Sequence, residues 1–450
     1  MDIVHSKEKG KGETMALNRR QFLIGAGGLA AAATTMGLGA CAPGSSGGGS
    51  QGGGGQGGGT NLALAFWGNP TRNKNTQAEI DAFMKANPNI KIAGQPGEFN
   101  TYWDKLATQT AGGNAPDIIQ MDMNYISEYG TRGALLDLSG VDVSKFVEGT
   151  VDSGKINGKL VGVNAGINSA LIFGNAKVFE KAKMDLPDDK TWTWDQLIDV
   201  GAEVASKAGV SFGVASLLQS DALFGTFVRQ HGKELFTDKG LGFDVAEAQA
   251  WYDYLLKGQK AKAFGTPEQV SEEQPKVLDQ SAIVVGTAAM QYYNSNQLEA
   301  VSAAAGQQLK MLRGPSLAGK ATERKTWYKA SMLWSASSKT KNPDAAVAWI
   351  NWFANSPDAA NIDLAERGIP PNAEILAEVK PKLSPAQQTV AKYISDIKPE
   401  VGQTPIAPPP GGGTIATVLF RHGIDVLFGK TSSADGAQKF VDELKSNLQV

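Results

Sequence analysis

Few residues in this 450-residue chain are of a kind that breaks bonds. Its three histidines are His5, His231 and His422, and no pair of them has metal-ligand spacing. There is no P-loop. Gly411-Gly412-Gly413 lacks the Lys and Ser/Thr that a phosphate cradle needs. Cys41 is the single cysteine, so no internal disulfide can form and packing alone must hold the body together. Carboxylates are plentiful, and glycoside hydrolysis needs only two, so that reaction stays open with nothing pointing to it. What the chain does carry is material for recognition. It has nine Trp and nine Tyr, many in loops. Aromatic faces suit the C–H side of a sugar, and planar polar groups suit its hydroxyls. Trp67 follows an apolar run, and Tyr292-Tyr293 precede Asn294-Ser295-Asn296.

The elements that would position these groups alternate regularly. Leu62–Trp67 is a short apolar run closed by Gly68-Asn69-Pro70, which predicts a buried strand and a turn. Residues 72–87 repeat apolar side chains at helical spacing (Ile80, Phe83, Met84) and stop at Asn87-Pro88-Asn89. Ile90-Lys91-Ile92 opens a second strand, residues 100–112 a second helix, and Pro116–Met121 a third strand. Strand, helix, strand, helix, strand is the rhythm of a parallel sheet. Ligands of open α/β sheets sit beyond the carboxyl ends of the strands, which here are Trp67-Gly68-Asn69 and Asp122-Met123-Asn124.

The first sixty residues have a different character. Asn18-Arg19-Arg20-Gln21-Phe22-Leu23-Ile24 leads into an Ala/Gly-rich apolar run ending Leu38-Gly39-Ala40-Cys41. This is an export-signal pattern. The arginine pair resembles the twin-arginine type, and Leu38–Cys41 resembles a bacterial lipobox, in which the cysteine receives lipid and becomes the mature N-terminus. Residues 21–40 are also long enough for a membrane anchor, although Gly, Ala and Thr leave them weakly apolar. Met1 and Met15 are both compatible starts. Residues 42–59 hold 11 Gly and no bulky apolar side chain, which makes a flexible tether of about 25 Å reach. Without signal and tether roughly 390 residues remain, a size for two lobes. A formal charge of −2 and a pI near 6.1 argue against a nucleic-acid partner.

An ordered set of blocks resembles the family 1 extracellular solute-binding proteins, the maltose-binding-like receptors of ABC importers. The blocks are Phe66-Trp67-Gly68, Ala86–Ile92, Tyr102–Leu106, and Gly112-Gly113-Asn114-Ala115-Pro116-Asp117-Ile118-Ile119. Gly158–Val163 with Asn168-Ser169, Thr191–Leu197, Gly286–Met290, Lys341–Ala346 and Arg367–Pro371 follow in order. The resemblance implies an α/β, two-lobe, periplasmic-binding-protein-like fold (type II) with the ligand cleft between lobes. Its implied domains are a signal peptide at 1–40, a lipid-anchored linker at 41–60, lobe 1 at 61–165 plus 331–370, and lobe 2 at 166–330 plus 371–450.

It also implies the site. Trp67, Asn69, Asn124, Asn168, Tyr293, Asn294, Asn296, Trp334 and Arg367 are the expected ligand-binding residues, and Cys41 the lipidation site. The position of Asn168 is acidic in some maltose-type relatives, so its amide argues against maltose itself. Other conspicuous residues read as structural. Tyr102 and Trp103 form a helical stripe, Trp349 and Trp352 lie at i, i+3, Thr193 is a helix N-cap between Trp192 and Trp194, and Asp117 fixes a turn. The implied function is an extracytoplasmic receptor, lipid-anchored to the cell membrane, monomeric and without cofactor. It would deliver a small-molecule solute to ABC permease subunits, without nucleic-acid partners and without catalysis. An oligosaccharide or sugar derivative is the favoured ligand. The alternatives are a non-sugar solute (glycerol phosphate ester, polyamine or peptide) and a secreted carbohydrate-active enzyme. A phosphate ligand would require Arg72, Arg313 or Arg367 to face the gap.

Overall fold

The computed structural model describes residues 59–449. The signal, Cys41 and the tether as far as residue 58 lie outside them.

The expected opening is present. β1 (Thr60–Trp67), β2 (Ile90–Gly97) and β3 (Ile118–Met121) run parallel, with β1 in the middle. α1 (Pro70–Ala86) and α2 (Phe99–Ala111) connect them. α1 starts where Asn69 accepts the Arg72 N–H and Pro70 takes the first turn, a position that suits proline because that N–H has no intrahelical partner. α1 buries Ile80 and Phe83 beneath the sheet. Leu333–Ala336 then pairs antiparallel with β3, and Val163–Asn164 completes a five-stranded sheet beside it.

A second, four-stranded sheet is ordered Lys310–Leu312, Ala170–Gly174, Ala288–Asn294, Phe212–Ala215. Its core holds Trp194, Phe224, Trp251 and Phe440, with the terminal helices Ile415–Leu427 and Ser433–Asn447 packed on it. The helix Trp194–Ala208 begins with a reciprocal capping box. Thr193 accepts from the Gln196 N–H at 3.2 Å, and Gln196 accepts from the Thr193 N–H at 2.8 Å. That helix lies so close to the sheet that a Cβ on Gly213 would sit 2.0 Å from the Gly201 carbonyl oxygen.

The chain passes between the sheets on short extended segments. Ile167–Asn168 leads out of the first and pairs antiparallel with the returning Lys329–Ala330. A third segment joins them where Ile369 bridges to Ile167 through reciprocal backbone bonds of 2.7 and 2.9 Å. Instead of fixing a local turn as expected, the Asp117 carboxylate ties distant segments, accepting from the Ala63 N–H at 2.8 Å and from the Thr340 hydroxyl. Among the described residues no helix is long and apolar enough to cross a membrane.

Candidate functional site

The carboxyl end of β3 feeds directly into α3 (Met123–Thr131), whose N-cap is Asp122. Its Oδ1 accepts from the Asn124 N–H at 2.9 Å, which fixes the turn. Opposite, the strand Phe212–Ala215 gives way to the helix Asp221–Gln230, capped by the Ser220 hydroxyl accepting from the Leu223 N–H at 3.0 Å. The two turns meet. Asn124 Nδ2 donates to Asp221 Oδ2 at 3.3 Å, joining an element after the first sheet to one after the second. Lys329, on the crossing strand, holds its Nζ 3.7 Å from Asp122 Oδ2. Asp221 is pushed above the usual carboxylate range by burial, with Lys329 opposing that rise and Asp122 adding to it.

A narrow groove opens beside this cluster. Met123, Ala222, Phe236, Trp327, Pro405 and Ile415 give it apolar walls. Arg229 belongs to the wall rather than to the polar floor. Its guanidinium donates to Glu234 at 3.0 Å, to the Lys325 carbonyl at 3.1 Å and to the Gln403 carbonyl at 2.6 Å, and lies 5.2 Å from the Trp327 ring centroid. The result is an apolar slot with a few convergent polar groups, the form expected of a small-molecule site.

A second groove follows the end of strand Ala288–Asn294. Tyr293 lines it with Tyr292, Gln291 and Gln297. The Tyr293 ring stacks on Phe173 at 5.2 Å, and its hydroxyl donates to Ser281 Oγ at 2.8 Å. Burial, first of all, raises both tyrosines above the usual phenol range. Asn168 and Asn296 meet between the strands, with Asn168 Nδ2 donating to Asn296 Oδ1 at 3.1 Å. The Oδ1 atoms of Asn168 and Asn294 are buried without a partner, which is costly unless something supplies a donor.

The expected residues divide accordingly. Asn124 and Tyr293 line grooves, Asn168 and Asn296 are joined amide to amide, and Asn294 has a buried Oδ1 without a partner. Trp67 is packed edge-on among Phe99, Tyr102 and Trp103 at 5.1–5.5 Å, at the carboxyl edge of the first sheet. The open faces of that aromatic wall belong to Phe99, 42% exposed, and to Tyr125, which stacks on Trp103 at 3.9 Å. Asn69 is occupied, because its Oδ1 caps α1 and its Nδ2 donates to Glu366 at 3.2 Å.

Trp334 and Arg367 need correcting. Trp334 is fully buried in the middle of a strand, 4.6 Å from Trp349 and 5.5 Å from Phe353. Arg367 is also fully buried. Its guanidinium donates to Asp363 at 2.7 Å, to Glu79 at 3.2 Å and to the Thr76 hydroxyl at 2.5 Å, beneath the faces of Trp334 and Phe353. Both residues hold the first sheet together. Asp122, Asp221, Trp327 and Lys329 were missed. The end of β3 was visible as a strand end, and Ser220-Asp221 has the form of a helix start, but nothing local marks Lys329.

Comparison with known proteins bears on the same elements. The family model for bacterial extracellular solute-binding proteins matches residues 67–360. The maltodextrin-binding protein MdxE of Bacillus subtilis (strain 168) is 21% identical over 356 residues, 77% of this chain and 81% of that protein. An arabinooligosaccharide-binding protein of the same organism is 30% identical over 135 residues, 29% of this chain and 30% of its own. A family 1 solute-binding protein structure from Alicyclobacillus acidocaldarius has a TM-score of 0.65 at 27% identity, covering 87% of this chain and 99% of that one. A periplasmic oligogalacturonide-binding protein from Yersinia enterocolitica has a TM-score of 0.76 at 19% identity, over 87% of this chain and 100% of its own. The sheets, the crossings and the matched span agree: this chain belongs to the bacterial extracellular solute-binding proteins of family 1, with their two-lobe α/β fold.

Proposed function

We propose that this protein is the saccharide receptor of an ABC importer and works by closing two lobes over an oligosaccharide or sugar derivative. The observation that carries this reading is the groove at Asn124 and Asp221, where side chains following each of the two sheets meet over apolar walls. A ligand held there touches both lobes, so it binds the closed arrangement better than the open one and shifts the population toward it. Relatives named for maltodextrin and arabinooligosaccharide binding support a sugar cargo. Lobe 1 is proposed as 61–165 plus 331–370 and lobe 2 as 166–330 plus 371–450, with the segment near Ile369 touching both. Lipid at Cys41 and the Gly-rich tether would keep a monomeric receptor beside its permease.

A polyamine is the second reading, favoured by the two carboxylates Asp122 and Asp221 near Asn124. A phosphate ester has less support, because each arginine it would need is engaged. Arg72 is bound to Glu366 at 2.7 Å, Arg313 to Glu400 at 2.9 Å, and Arg367 to Asp363 at 2.7 Å. Calorimetric titration against maltotriose, arabinotriose and spermidine tests the function. Saccharide binding supports the proposal, and spermidine binding without saccharide binding overturns it.

A further inference from the structure

We infer that Asp221 sets the charge class of the cargo, so that the cleft admits neutral saccharides and rejects anionic ones such as uronates. The inference rests on the saccharide reading above and narrows it.

The balance of charges that can reach a ligand in the groove is negative. Arg229 lines it, but each of its three guanidinium nitrogens already donates, one of them to Glu234. Lys329 is the remaining cation there, and it faces Asp122 at 3.7 Å. Asp221 accepts from the Asn124 amide and shares Lys329 with Asp122, so one carboxylate is left over. Around the groove the carboxylates Asp122, Asp221 and Glu234 therefore outnumber the cations Lys329 and Arg229 by one.

The surroundings do not dilute this excess. Asp221 sits at the start of a helix, whose N-terminal dipole eases one negative charge and is already used by it. Apolar walls keep the local dielectric low, so a ligand carboxylate would meet the excess charge with little screening. Sugar hydroxyls meet no such penalty. They can donate to Asp221 and Asp122, and a hydroxyl oxygen can accept from Lys329. The raised proton affinity of Asp221 is consistent with a dry site that already resists one negative charge. Tyr292 and Tyr125 also face Asp221 and carry no compensating positive charge.

A second carboxylate about 5 Å from an uncompensated one, at an effective dielectric near 20, weakens binding on the order of 100-fold. The test is calorimetric titration of the full chain, in mild detergent at low salt, with maltotriose, arabinotriose and digalacturonate. At least one neutral saccharide is expected to bind on the order of 100-fold tighter than digalacturonate, and Asp221→Asn should cut that ratio to about 10-fold or less. Lys329→Gln should act in the opposite sense and widen it, which keeps the test alive if the Asp221 variant does not fold. Digalacturonate binding as tightly as the neutral saccharides, or a ratio unchanged in both variants, overturns the inference and leaves the receptor reading standing. Absence of binding by all three saccharides overturns both.

Discussion

Arg367→Met should be among the most damaging substitutions in this protein, through stability and not through ligand binding. The guanidinium is fully buried and holds two carboxylates, Asp363 at 2.7 Å and Glu79 at 3.2 Å, together with the Thr76 hydroxyl. Burial already pushes Glu79 up to about 8, against an ordinary value of 4.5, with Asp363 adding to the rise and Arg367 opposing it. At neutral pH the cluster is therefore close to one proton-bearing carboxyl and one ion pair. Removing the cation strands a buried carboxylate, a change that costs about 3–5 kcal/mol. Loss of the Trp334 and Phe353 contacts with the guanidinium adds to it. For roughly 390 folded residues that corresponds to a melting temperature lowered by about 4–6 °C. Urea unfolding followed by tryptophan fluorescence measures the cost. A double variant, Arg367→Met with Asp363→Asn, should recover about 1 kcal/mol or more, because the stranded charge is gone. A cost below about 1 kcal/mol would refute the reasoning. So would normal stability combined with a large loss of ligand affinity, which would put the guanidinium at the ligand.

Three further outcomes are expected. Because the folded state holds a proton on Glu79 that the unfolded chain releases, it binds more protons than the unfolded state between about 4.5 and about 8, and this contribution to stability falls as pH rises through that window. Melting curves at pH 5.5 and 8 should show the decline, and Glu79→Gln should flatten it; an equal slope in the variant would assign the effect elsewhere. Phe99→Ala removes the exposed face of the aromatic wall, so it should change the melting temperature little and weaken saccharide binding about tenfold by calorimetry, whereas unchanged affinity would leave the wall outside the site. Thr193→Ala removes the hydroxyl that accepts from the Gln196 N–H, one half of a capping box, and should cost about 1 kcal/mol in urea unfolding, with no effect on affinity.

What could be read from the sequence was local. The parallel opening followed from apolar runs punctuated by Gly68-Asn69-Pro70 and Asn87-Pro88-Asn89, and the Thr193 cap from side chains three residues apart. Each depends on chemistry within one turn of the chain. Arg367 misled although Asp363, one helical turn back, is a local partner, because Glu79 and Thr76, which complete its burial, lie 288 and 291 residues away and only the fold brings them to it. Trp334 misled for a related reason. It follows closely on a crossing segment, where a cleft residue would be reasonable, but pairing with β3 on one side and Val163–Asn164 on the other turns its position into core. Asn69 was correctly placed at a strand end, yet the same turn that exposes it also needs its side chain as a cap. Asp122, Asp221 and Lys329 come from a helix start after each sheet and from a crossing strand, and only the fold brings them together.

Small-angle X-ray scattering, with and without the saccharide that calorimetry selects, tests lobe closure most directly. The radius of gyration should fall on addition and saturate with the calorimetric affinity, as side chains from both sheets engage one ligand. A radius unchanged at full occupancy would contradict closure and leave a rigid binding groove in its place.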